Sequence, residues 1–217
     1  MPAKYSVKVY VEDGIYHVYN RGINKMKIFE DTQDHKVFLS FLKRYLLKTD
    51  NEVRPRWREE LYKNIDLLAF CLMSNHLHLL LKQNSLTAIT TFMRCISNAY
   101  TKYFNNKYER IGPLFQGKFK AVLVNKDEYL LYLSRYIHLN PIGHKKSITR
   151  SDLARLEQYS YSSYSDYLGK RKTEWVKSNF IVDYFKKLSP GTLSYKEFVE
   201  SFAISPEVSL ENIAIDE

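Results

Sequence analysis

The stretch IDLLAFCLMSNHLHLLLK, residues 65–82, is apolar almost throughout, is broken once at Ser74-Asn75, and carries two histidines two positions apart. Apolar runs of this length on either side of a short polar break read as two strands of a hairpin. In a strand, alternate residues share a face, so His76 and His78 point one way while Leu77 and Leu79 point the other. Two imidazoles on one face have two explanations. They are a pair of satisfied, partly buried side chains, or they are two ligands of a metal centre whose third ligand arrives from elsewhere. The stretch by itself favours the first explanation, because a His-x-His pattern is short.

Working outward, IYHVYNR (15–21) alternates and is β-branched or aromatic, which predicts a strand. From Asp31 to Leu47 an acidic start and apolar residues at Val37, Phe38, Phe41, Leu42 and Tyr45 predict a helix. Residues 48–63 are polar and contain Pro55, giving a long connection with room for one helical turn, in which Arg54, Arg56, Trp57 and Arg58 either touch DNA or form a solvated loop, the latter slightly favoured. A long amphipathic helix is expected over Leu86–Tyr108 from Ile89, Phe92, Met93, Ile96, Tyr100, Tyr103 and Phe104. Gly112-Pro113 breaks the chain, and LFQGKFKAVLV (114–124) reads as a strand with a glycine inside it. A last core helix opens at Asn125–Glu128 and stops at Asn140-Pro141, since proline disfavours helix at the residue before it. The order β-α-β-β-α-β-α predicts an α+β, ferredoxin-like split β-α-β core: an antiparallel sheet with helices on one face, plus an added helix. The expected organisation is one domain over 10–145, then a helical extension over 146–217 ending in an acidic, disordered tail.

Hydrophobic residues make up 45% of the 217 and charged residues 26%, ordinary values for a globular protein. No run approaches the roughly 18 apolar residues of a membrane helix. The N-terminus, MPAKYSVKVYVEDG, lacks the apolar core of a signal peptide, so the expected location is cytoplasmic, with no membrane partner. Two cysteines, Cys71 and Cys95, are too few for a disulfide framework or a four-cysteine zinc site. The net charge is +9 although the last fifteen residues hold four acids and no Lys or Arg, and there are 18 tyrosines and 12 phenylalanines. A basic, aromatic-rich chain fits nucleic-acid binding by phosphate neutralisation and base stacking. No G-x-x-x-x-G-K-[ST] pattern occurs, which argues against a helicase or ATPase.

The helix at 127–139 bears on the histidines. At about 100° per residue, Leu130, Leu133 and Ile137 form its core stripe. Tyr129, Tyr132, Tyr136 and Asn140 fall on an adjoining strip, with Tyr136 and Asn140 one turn apart. A phenol and a carboxamide there either reach a metal held by the strand histidines or simply cover the edge of the core. His17 and His138 compete as metal ligands, but His138 points about 200° from Tyr136 around the helix. Asn20, Arg21, Lys25 and Lys27 follow the first strand. Gln116, Lys118 and Lys120 alternate, so they are expected to share one face, toward DNA or toward solvent.

YHVYNRGINKMKIF, CLMSNHLHLLL, YFNNKYERIGPLFQGKFKA, YLSRYIHLNP and YSYSSYSDYLG occur in this order over roughly residues 14–169. Together they resemble the REP-associated branch of the single-tyrosine transposases, members of the HUH endonuclease superfamily. The resemblance implies that His76 and His78 are the metal-binding pair, that Asn140 completes the site, and that Tyr136 is the nucleophile. It implies Mg²⁺ or Mn²⁺ as cofactor and single-stranded or hairpin DNA as substrate. Cleavage would run through a 5′-phosphotyrosine, in a monomer or a homodimer. Asn20, Arg21, Lys25, Gln116, Lys118 and Lys120 become the DNA-contact candidates. Two features depart from the pattern: Ser74 stands where relatives often have proline, and the 48–63 connection is longer than expected.

Overall fold

The computed structural model describes residues 10–48, 61–125, 127–143, 149–188 and 193–204. The 65–82 stretch is the hairpin its pattern predicts: β2 (Ile65–Leu72) and β3 (His76–Gln83) pair antiparallel around the Ser74-Asn75 turn. β1 (Ile15–Arg21) pairs antiparallel with β3 on one side and with β4 (Lys120–Val124) on the other. The resulting order, β2-β3-β1-β4, is the ferredoxin-like arrangement. Arg54, Arg56, Trp57 and Arg58 and the acidic tail lie outside the described residues. No helix among those described is long and apolar enough to cross a membrane.

The pleat sorts the core into two. On one face Tyr16, Val18, Phe70, Leu77, Leu79 and Leu81 pack with Phe38 and Leu42 of α1 (Thr32–Leu46) and with Phe92, Ile96, Tyr100 and Phe104 of α2 (Ala88–Lys107). On the other, Ala69, Cys71 and Leu80 pack with Leu130, Leu133 and Ile137 of α3 (Asp127–Leu139). Each buried Leu, Ile, Val or Phe among them is worth about 1.5–3 kcal/mol against exposure. A register shift between Leu67 and Ala69 lets Leu68 and Ala69 both join the α3 side while Phe70 stays on the α1–α2 side.

The hairpin turn is bound by the segment after β1. Ser74 C=O accepts the N–H groups of Ile28 and Phe29 at 2.8 and 3.0 Å, and Asn75 C=O accepts that of Gly22 at 2.8 Å. Gly22 is folded so tightly against its own loop that an added Cβ would fall 2.1 Å from Met26 O, a backbone atom of the segment bound to the turn. Gly22→Ala is therefore expected to cost about 1–3 kcal/mol, read as a lowered thermal midpoint, by pushing the 22–28 loop off the turn.

One expectation fails at 114–124. Only Lys120–Val124 is a strand. Gln116 N–H donates to Arg21 C=O at 2.9 Å and Ile23 N–H to Leu114 C=O at 2.9 Å, so this part follows the chain beyond the end of β1. Gly117 then turns it at φ +133°, a conformation open to glycine. Gln116 and Lys120 consequently end on the α3 side of the sheet while Lys118 turns to the other, so the three do not share one face.

The extension contains α4 (Arg150–Gln158), one helical turn at Tyr164–Tyr167, α5 (Asn179–Leu188) and α6 (Tyr195–Ile204). Its YSYSSYSDYLG motif covers the outer edge of β2. Leu72 N–H donates to Tyr161 C=O at 2.9 Å, Ser163 N–H to Phe70 C=O at 2.9 Å, and Lys177 N–H to Leu67 C=O at 2.8 Å. Arg171 ties the motif together through Asp166 at 2.7 Å and Ser160 C=O at 2.9 Å. An edge strand left bare is a template for unwanted pairing, and here it is closed from within the chain.

Candidate active site

β1 and β3 are in register so that Tyr19 faces His78 and Arg21 faces His76. All four lie on the α3 side of the sheet. The His76 and His78 rings are 4.9 Å apart and nearly perpendicular. Tyr136 comes down on them from α3, edge-on to His78 at 5.6 Å and to His17 at 6.1 Å. Of the tyrosines on the α3 strip, Tyr132 points away, 38% exposed under Arg135, whereas Tyr136 is 3% exposed. Tyr129 is partly buried in the α3-side core.

The amides fix the protons of His76. Asn75 Nδ2 donates to Lys25 C=O at 3.3 Å, which leaves Asn75 Oδ1 to accept from His76 Nδ1–H at 2.6 Å. The lone pair of His76 therefore lies on Nε2. Asn140 Nδ2 donates to Tyr136 C=O at 3.1 Å, so its Oδ1 is the atom 3.4 Å from His76 Nε2. With neutral His76, two lone-pair atoms face each other. Neighbouring ligands about 2.1 Å from an octahedral ion stand about 3.0 Å apart, so a pair at 3.4 Å needs only a small approach to share one. The donor set thus fits a cation.

His78 is fully buried, and its Nδ1 meets His17 Nε2 at 2.9 Å. If His78 Nδ1–H is the donor, Nε2 keeps the lone pair that a ligand needs. Burial first, and then the neighbouring His17 and His76, push the His78 pKa well below the ordinary value, which keeps the ring neutral near pH 7. His17 is thus placed beside the pair as its orienting partner. No group of three or more His, Cys, Asp or Glu gathers as a metal site among the described residues. The third donor that the geometry offers is the Asn140 amide oxygen.

His138 lies on the far side of α3, with its ring nitrogens 2.9 Å from Tyr195 Oη and Ser163 Oγ. Burial, then the nearby Arg171, lower its pKa to about 3.

The proposed DNA contacts divide. Lys120, paired with Tyr19, holds its ammonium 5.5 Å over the Tyr19 ring, which stacks on His17 at 5.1 Å. Arg21 Nε donates to Gln116 Oε1 at 2.5 Å beside His76. These three rim the site. Asn20 and Lys118 instead line a separate groove of about 970 Å³ against α2, with Arg94, Asn98, Lys102 and Phe119. Lys25 is exposed in the loop whose carbonyl holds Asn75. Asn75 and Tyr19 were not singled out from sequence. Asn75 sits beside the histidines in the chain, but Tyr19 becomes visible only through the β1–β3 register.

The family described as "Transposase IS200 like" matches residues 10–140. No curated protein matches the chain. Among solved structures, the chain is similar to the REP-associated tyrosine transposase bound to a REP hairpin. Identity there is 13% and the TM-score 0.52, over 80% of this chain and 97% of that one. A candidate transposase from Deinococcus radiodurans matches at 14% identity and a TM-score of 0.37, over 63% and 95% of the two chains. The first similarity shows the fold, and the family match spans more than half of the sequence and takes in the hairpin histidines, Tyr136 and Asn140: the chain belongs to the IS200-like transposase family.

Proposed function

We propose that this chain cuts and rejoins single-stranded DNA at hairpin-associated sites, with Tyr136 as nucleophile. The observation that carries the reading is the convergence of Tyr136 on His78, with His76 Nε2 facing Asn140 Oδ1 at 3.4 Å. Hairpin DNA as partner rests on the structural relative described as bound to a REP hairpin, together with the basic rim of Arg21 and Lys120.

The Tyr136 oxygen attacks a backbone phosphorus, a P–O bond to tyrosine forms, and the P–O3′ bond breaks. The phenol proton is lost to the surroundings, and the departing 3′ oxygen takes up a proton to become a hydroxyl. A 5′-phosphotyrosine remains, and a strand 3′-hydroxyl can reverse the exchange because one phosphodiester has replaced another. His76, His78 and Asn140 would hold a divalent cation, Mg²⁺ or Mn²⁺, which supplies charge stabilisation at the phosphate. Asn75 holds His76 in the required tautomer, and His17 orients His78. Arg21 and Lys120 place the strand.

The test is incubation with hairpin-bearing single-stranded DNA and Mn²⁺ or Mg²⁺, followed by a denaturing gel. A covalent protein–DNA adduct that disappears with chelator is expected. Tight hairpin retention with no adduct would instead leave a binding protein, and cleavage without an adduct would point to water as nucleophile.

A further inference from the structure

The face of α3 that turns away from the histidines is held by a chain of hydrogen bonds that the proposed chemistry does not use. Phe70 N–H of β2 donates to Ser163 Oγ at 2.9 Å, and Ser163 Oγ lies 2.9 Å from His138 Nε2. His138 Nδ1 is 2.9 Å from Tyr195 Oη, which is 2.9 Å from Ser134 Oγ. Ser134 Oγ donates to Leu131 C=O at 2.8 Å. Every side chain in the series is buried. β2, the edge-covering motif, α3 and α6 thus meet in one polar line through an apolar core.

Each hydroxyl has one proton, and a neutral imidazole has one N–H. Two arrangements satisfy all of these groups. One directs Ser163 O–H to Phe70 C=O at 3.3 Å and gives up the 2.8 Å bond to Leu131. The other keeps the shorter bond. In it Ser163 donates to His138 Nε2, His138 Nδ1–H to Tyr195, Tyr195 to Ser134, and Ser134 to Leu131. The shorter contact selects the second, with His138 in the Nδ1–H tautomer.

We propose that Ser163, His138 and Tyr195 are positioning residues that set the place of α3, and with it of Tyr136 and Asn140, against His78 and His76. As a statement about catalysis this rests on the reading of Tyr136 as nucleophile. Leu130, Leu133 and Ile137 pack α3 without directional preference, so apolar contact alone tolerates a small slide or roll of the helix. A slide would strand buried donors without partners, and the line therefore permits one placement. Tyr136 and Asn140 move as one body, since the Asn140 amide is bonded to the Tyr136 carbonyl. The extension then acts on the chemistry without touching DNA.

The experiment compares Tyr195→Phe, which deletes one oxygen from the line, with Val199→Ala. Val199 is a buried α6 residue outside the line, and its variant serves as a control of similar stability loss. Ring ¹⁵N shifts should report His138 protonated on Nδ1 in the parent protein. In Tyr195→Phe, amides of α3 should exchange about 10-fold faster, and they should be unchanged in the control. Single-turnover adduct formation should fall about 10-fold in Tyr195→Phe with hairpin affinity unaltered, and stay near parental in Val199→Ala. Parental exchange and rate in Tyr195→Phe would overturn the proposal, as would equal losses in the control. Should the parent protein form no adduct, the nucleophile assignment falls, and α3 exchange decides the placement claim on its own.

Discussion

Tyr136→Phe is expected to lower adduct formation by on the order of 10⁴-fold or more while leaving hairpin binding in place. The substitution removes one oxygen and keeps the ring that sits edge-on to His78 and His17, so packing against both imidazoles survives. Stability should move by no more than about 1 kcal/mol. Tyr132→Phe is the internal comparison: that ring lies on the same helix but points to solvent beneath Arg135, and its loss should leave the rate unchanged. A denaturing gel after incubation with hairpin DNA and Mn²⁺ reads both variants. An adduct that survives Tyr136→Phe would sink the assignment of the nucleophile.

The second large effect is expected far from the chemistry, at Asp34. Its carboxylate is buried at the start of α1 and accepts from Tyr103 at 2.9 Å, Lys107 at 2.8 Å, Tyr108 at 2.8 Å and the Glu30 N–H at 2.8 Å. One acid thus fastens the N-terminus of α1 to the end of α2. Asp34→Ala strips these donors of their acceptor and should cost about 3 kcal/mol. For a chain of this size that is a fall in melting temperature on the order of 10 °C. Burial raises the Asp34 pKa, but the bonds from Lys107, Glu30, Tyr108 and Tyr103 outweigh it, and the net shift is downward. A folded-state pKa below the unfolded value stabilises the fold above the unfolded pKa of about 3.9 and loses that contribution as pH falls through the folded value. Melting curves of the parent protein should therefore drop below about pH 4, and those of Asp34→Ala should drop less.

How far the sequence spoke depended on how local the signal was. The 65–82 hairpin, α1, α2 and α3 are each written in a repeating apolar pattern within one segment, and they stand where that pattern puts them. That His76 and His78 share a strand face, and Tyr136 and Asn140 a helix turn, was legible in local pattern, whereas the meeting of the two pairs was implied only by the family resemblance. The 114–124 segment was misread because alternation of Gln116, Lys118 and Lys120 carries no mark of the turn at Gly117, whose cause is bonding to Arg21 and Ile23 far back in the chain. The partners of the site residues were hidden for the same reason. Nothing around His17 tells that it meets His78 rather than solvent until the β1–β3 register is known. The YSYSSYSDYLG motif was noticed only as a family mark, whereas its physical task is to close the edge of β2.

That closure has a consequence for the order in which the molecule becomes complete. Phe70 waits 93 residues for Ser163, Leu68 waits 99 for Tyr167, and His138 waits 57 for Tyr195. During synthesis, β2 leaves the ribosome long before the segment that shields it, so a growing chain displays an open sheet rim through much of its translation. Contacts of such long sequence separation also slow the folding search. The helix that bears Tyr136 receives its last fastening only when α6 has emerged. A nascent chain can therefore hold the histidine pair, the tyrosine and the amide, and still lack the fastening that sets them in register.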